Sequence, residues 1–144
     1  VNLPECFEKQ LLVRARVSDE TVKGTLGLAK HCIERAAGTL KIGYFDVSFT
    51  LAYQSMLHAA RAIVFKDGIK ERSHLCVILY LKERYKQNPA MLKHLNLLDS
   101  YRISRHEIVY RGGEVSKKEC LRVIKDAQEF LKLAQGILGI KKAN

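Results

Sequence analysis

From Leu98 to Gly112 the sequence reads LDSYRISRHEIVYRG, and it concentrates most of the chain's candidate chemistry. Asp99, Arg102, His106 and Tyr110 follow one another at steps of three, four and four, which aligns side chains along one face of a helix. Arg105 stands beside His106, and Arg111 follows Tyr110. An imidazole that titrates near neutrality can take the proton of a ribose 2′-hydroxyl, and a guanidinium can hold the charge that develops on phosphate oxygens. Used only for hydrogen bonding and stacking, the same groups bind a nucleotide or RNA. Arg102, Arg105 and His106 are thus candidate catalytic residues, and Asp99, Arg105, Tyr110 and Arg111 candidate nucleotide or RNA contacts.

The position of these groups in the pattern strengthens the reading. Met91, Leu95 and Leu98 set an apolar helix face, and the same spacing carried forward leads to Arg102, Arg105 and His106 before it returns to Val109. A guanidinium buried without a counter-charge is destabilising, so these residues are expected to face a cleft, a partner subunit or an anion. The plainer alternative is that Asp99 pairs with Arg102 on a solvated face and His106 is an ordinary surface residue.

The elements that must hold this stretch are helices. Residues 1–17 place Phe7, Leu11 and Leu12 at helical spacing after Pro4, which suits a first turn. Ser18 is an N-cap type followed by Asp19 and Glu20, and Leu26, Ala29, Ile33, Ala36 and Leu40 then run as one stripe to a stop at Gly43. A further helix is expected from Asp46 to Asp67-Gly68, burying Phe49, Tyr53, Met56, Ala60, Ile63 and Val64, with alanines that permit close approach. Ser73 caps the next, which Asn88-Pro89 closes. Gly112-Gly113 ends the helix bearing the candidate site, and Ser116 with Glu119 forms a capping box for the last helix, where Leu121, Ile124, Phe130, Leu131 and Leu138 or their neighbours are expected inside. No strand alternation is visible. The expected fold is all-α, an up-and-down antiparallel bundle of about five helices in a single domain spanning residues 1–144.

Composition bounds the partners. Lys and Arg number 25 against 15 Asp and Glu, a net charge of +10 that favours a polyanion over an acidic protein as ligand. No apolar run approaches the ~20 residues that span a bilayer, so no membrane association is expected and the cytoplasm is the default location. Cys6, Cys32, Cys76 and Cys120 form no C-x-x-C pair and read as small buried hydrophobes, and no ligand spacing implies a metal or a cofactor. His58, among Met56, Ala59 and Ala60, reads as a satisfied core or interface histidine.

Three segments together carry a family resemblance: AYQSMLHAARAIVFKDG, the Ser73-His74 pair, and RHEIVYRGGEVSKKE. In order and spacing they resemble the HEPN domain family, named for nucleotide binding in higher eukaryotes and prokaryotes, over roughly residues 18–138. The resemblance implies a helical bundle that pairs as a homodimer, often beside a small nucleotidyltransferase partner in a toxin–antitoxin module, and it makes His74 a further candidate contact near the cleft. Active members resemble metal-independent RNases with Arg, four to six residues, then His at the dimer cleft. Here Arg105 is followed at the fifth position by Tyr110, and only three residues separate Arg102 from His106. That departure favours a module that binds nucleotide or RNA, or docks a nucleotidyltransferase, over an endoribonuclease using Arg102 or Arg105 with His106. A structural helical subunit is the third reading.

Overall fold

The computed structural model describes residues 1–140. Six helices and two short strands follow in the order α1 (Leu3–Glu8), β1 (Leu12–Arg14), α2 (Asp19–Lys41), α3 (Phe45–Lys66), β2 (Ile69–Glu71), α4 (His74–Arg84), α5 (Pro89–Arg111) and α6 (Lys117–Leu138). The fold is an all-α bundle.

Local chemistry sets most boundaries. The first free N–H groups of a helix need acceptors. Ser18 accepts from Thr21 N at the start of α2, Ser73 from Cys76 N at α4, and Asn88 from Met91 N at α5, where Pro89 takes the first turn. Ser116 and Glu119 form the reciprocal capping box of α6. Gly112 closes α5 in the left-handed region, at φ 67°. The start of α3 differs from expectation. The helix begins one residue before Asp46, Tyr44 occupies the cap position without a side-chain bond, and the Asp46 carboxylate accepts from Val47 N instead.

Helix α3 is the centre of the core. Ala52, Ala59, Ala60 and Ala62 are fully buried. Small side chains bring α2 close enough for two buried hydroxyls to reach its backbone: Ser48 Oγ donates to Ala36 O at 2.8 Å and Ser55 Oγ to Ala29 O at 2.7 Å. Each bond contributes about 1 kcal/mol net, and each would cost more if one partner were left unpaired. Phe49 meets Tyr101 of α5 edge-to-face with centroids 5.8 Å apart, and the Tyr101 hydroxyl donates to Asp126 of α6. His94 stacks on Phe130 at 5.6 Å, a second α5–α6 tie. Along α6 the buried residues are Cys120, Val123, Ile124, Ala127, Phe130, Leu131 and Ala134, whereas Leu121 is half exposed rather than buried.

The N-terminal segment departs most from the sequence reading. Only Leu3–Glu8 is helical, Gln10 turns the chain at φ 57°, and Leu12 is buried from a strand, not from a helix. β1 pairs antiparallel with β2 in the register Leu12 to Glu71, Val13 to Lys70 and Arg14 to Ile69. Three-residue strands are too short to display an alternation, so the ribbon was invisible in the sequence. Cys6 and Cys76 are also joined by a disulfide that ties α1 to the first turn of α4, correcting their reading as independent small hydrophobes. Their 70-residue separation holds no hint of that contact. Cys32 and Cys120 remain free and buried. Disulfides are rare in the cytosol, so the pair lends no support to the cytoplasmic expectation. No described helix is long and apolar enough to cross a membrane.

Candidate functional site

The change from apolar to polar along α5 coincides with a cleft. Arg102, Ile103, Arg105, His106 and Glu107 face Ser73, His74 and Leu75 at the start of α4, over Tyr53 of α3, around a cavity of about 450 Å³. The α4 N-terminus contributes positive potential from its free N–H groups. A concavity of about 510 Å³ between α2 and α6 is larger, but its charged lining is Lys30, Glu34 and Lys132, with no imidazole, guanidinium or phenol. The chemistry therefore resides between α4 and α5.

Each cationic group in the cleft is held differently. Arg102 donates its Nε–H to Asp99 Oδ1 at 3.0 Å, and its Nη2 lies 3.0 Å from the same oxygen as an ion pair, with both side chains about one-third exposed. Arg105 has no carboxylate within ion-pair reach among the described residues, and its Nε is buried without a hydrogen-bond partner. An orphaned guanidinium donor beside a cavity is suited to an incoming anion.

His74 Nδ1 lies 2.9 Å from the Tyr53 hydroxyl. Burial pushes the Tyr53 phenol up to about 12, so the group is protonated at neutral pH. A buried phenol proton needs an acceptor, and Nδ1 is the one in reach. The imidazole proton then stands on Nε2. Burial also lowers the His74 pKa; Glu71 opposes that shift, while Arg105, Arg61 and Arg102 add to it. At pH 7 the ring is neutral.

Behind the cleft, Arg61 forms an ion pair with Glu71, whose side chain is 7% exposed. The Arg61 Nε–H does not point squarely at the carboxylate, so this is a charge contact rather than an aligned hydrogen bond. Arg61 Nη1 lies 3.2 Å from His58 Nδ1, and burial together with Arg61 lowers the His58 pKa. His58 is thus a satisfied, half-buried histidine.

Of the sequence candidates, Arg102, Arg105, His106 and His74 meet around the cavity. Asp99, Tyr110 and Arg111 lie outside its lining. Asp99 serves Arg102, Arg111 is 71% exposed and pairs with Glu107 at 3.7 Å, and Tyr110 is 66% exposed with its ring 4.8 Å from that of His106. Sequence reasoning assigned Tyr53 to the core alone. Its ring is fully buried, but its hydroxyl orients His74 across 21 residues, a relation no local pattern encodes. No group of described residues is arranged to hold a metal ion.

Fold and cleft together define a helical-bundle protein with a cationic, imidazole-bearing pocket between consecutive helices. The chain belongs to the HEPN domain family: the family model matches residues 22–137, from the first turn of α2 to the last turn of α6, and takes in every residue of the cleft. This is a family of nucleotide-binding or RNase type. No curated protein matches the sequence.

Proposed function

We propose that this protein is a binding module whose α4–α5 cleft holds the phosphate of a nucleotide or RNA. The observation that carries the reading is Arg105, a guanidinium with a buried, unpartnered Nε beside a cavity it shares with Arg102 and His74. Arg105 and Arg102 supply charge-assisted donors to phosphate oxygens, and His74 Nε2–H supplies a neutral one. The exposed His106–Tyr110 pair next to the cavity offers an aromatic surface for a base.

The module acts as a homodimer. Supporting this are Tyr44 and Val47 at the start of α3 and Ile103, Val109 and Tyr110 on α5, large apolar side chains left exposed, with Val47 and Val109 lining one shallow groove. A small nucleotidyltransferase is the partner implied by the family resemblance, as in toxin–antitoxin modules.

A second reading is a metal-independent endoribonuclease, favoured by the presence of two imidazoles, His74 and His106, around the same cavity as both guanidiniums. Binding and cleavage of single-stranded RNA by the purified chain, measured without metal, separate the two. Arg105→Ala, with circular dichroism unchanged, is expected to weaken binding by about 10- to 100-fold, the worth of one or two charge-assisted bonds. Cleavage by the parent that disappears in Arg105→Ala and in His106→Ala or His74→Ala establishes the enzyme. Binding unaffected by Arg105→Ala overturns the cleft as the site.

A further inference from the structure

The β-ribbon sorts its charges by face. Along Ile69-Lys70-Glu71-Arg72, Ile69 is fully buried and the Glu71 side chain turns inward to Arg61, whereas Lys70 and Arg72 are exposed. This is the period-two alternation of a strand, continued one residue beyond β2 by the bond from Arg72 N to Leu11 O. Across the ribbon Lys70 faces Val13, which carries no charge, and among the described residues neither Lys70 nor Arg72 has a carboxylate partner. Arg14 is engaged elsewhere, over the Phe7 ring at 5.3 Å. The strand runs directly into the cleft: Arg72 precedes Ser73 and His74, both in the cavity lining.

We infer that the outward face of β2 is a backbone rail for single-stranded RNA, with Lys70 and Arg72 holding the phosphates next to the one seated in the cleft. The inference rests on the proposed function and specifies its ligand as an oligoribonucleotide rather than a mononucleotide. The spacing decides between them. At ~3.3 Å per residue, Arg72 stands ~7 Å and Lys70 ~13 Å along the chain from His74. A single phosphate seated in the cleft does not also meet both outer cations, whereas the successive phosphates of a strand can each meet one. The placement of the lone carboxylate supports the same ligand. Glu71 lies between the two bases in sequence, but it is buried against Arg61, so the exposed face is purely cationic.

The test compares adenosine 5′-monophosphate with a labelled single-stranded RNA of about ten nucleotides, using the full chain and the double variant Lys70→Gln/Arg72→Gln. Two lost phosphate contacts reduce the slope of log affinity against log salt by about 1.4 and weaken oligonucleotide binding by about 25-fold near 0.1 M salt. Mononucleotide binding is expected to be unchanged. Both substitutions are at exposed positions, and melting temperature checks the ribbon. Oligonucleotide binding that is lost in Arg105→Ala but keeps its salt slope in the double variant overturns the rail while leaving the cleft reading intact. If neither ligand depends on Arg105, both fail. Equal loss of mononucleotide and oligonucleotide binding in a double variant of unchanged stability also overturns the rail, because it places the two cations at the same phosphate.

Discussion

Replacing Tyr53 by Phe removes one oxygen from the floor of the cleft and leaves a ring that is otherwise fully buried. The hydroxyl's bond to His74 Nδ1, 2.9 Å long, is lost, and a half-buried ring nitrogen is left without its partner. A net hydrogen bond together with part of the desolvation cost of an unpaired polar atom amounts to about 1–2 kcal/mol. Unfolding entropy for a chain of this length is roughly 0.3 kcal/mol/K, so the melting temperature is expected to fall by about 3–7 °C. The second consequence is chemical. With the phenol donating to Nδ1, the His74 proton is fixed on Nε2; without it, the ring is free to exchange tautomers, and RNA affinity falls although no ligand-contacting atom has been removed. Nitrogen-15 NMR of the imidazoles reads the first state directly as an Nε2-protonated, neutral ring at pH 7. A parent His74 protonated on Nδ1, or a Tyr53→Phe melting temperature within about 1 °C of the parent, refutes the argument.

Acid sensitivity follows from the same region. His58 and His74 both have pKa values lowered from 6.5 by burial, so the unfolded chain binds more protons than the folded one just below pH 6.5. Their contribution to stability is complete above 6.5 and is lost as pH falls through the lower folded values, so urea midpoints between about pH 5 and 7 should rise with pH; a flat or inverted profile contradicts the burial of these rings. The dimer is tested by light scattering: the parent should give twice the monomer mass and Val109→Glu, a charge placed on the exposed apolar face of α5, should give the monomer, while a monomeric parent removes the dimer.

The legible parts of the fold were those governed by local chemistry. Ser18, Ser73 and Ser116 cap helices because a short hydroxyl side chain meets the N–H groups of its own first turn, and each of those starts is where its sequence indicates. The polar stripe on α5 was legible for a similar reason, since one helix carries all of it. What failed depends on contacts between distant segments. The ribbon joins residues 12–14 to 69–71, the disulfide joins Cys6 to Cys76, and Tyr53 reaches His74 from another helix. Even within α5 the straight stripe was only half informative: Asp99 and Tyr110 share a face with Arg102 and His106 by spacing, yet the cavity is bounded by what α4 brings opposite them, and that excludes both ends of the stripe.

Charge pairing in and behind the cleft explains why one arginine is singled out among several. Arg102 is matched by Asp99, Arg61 by Glu71 and Arg111 by Glu107. Each pair leaves its surroundings close to neutral, and Arg102 has its Nε already directed at the Asp99 carboxylate. Arg105 alone among these four guanidiniums has no such partner in the described residues, and it does so where burial has also kept His74 uncharged. An uncompensated cation beside a neutral imidazole attracts an anion without the mutual repulsion that a second positive ring would add. The same pairing directs the positive field outward: with Glu71 turned inward, the nearest free cations beyond Arg105 along β2 into α4 are Arg72 and Lys70, on the exposed side of the strand that enters the cleft. Neutralising Arg105 should therefore weaken anchoring in the pocket for mononucleotide and oligonucleotide alike, whereas neutralising the two outer cations should weaken only the longer ligand.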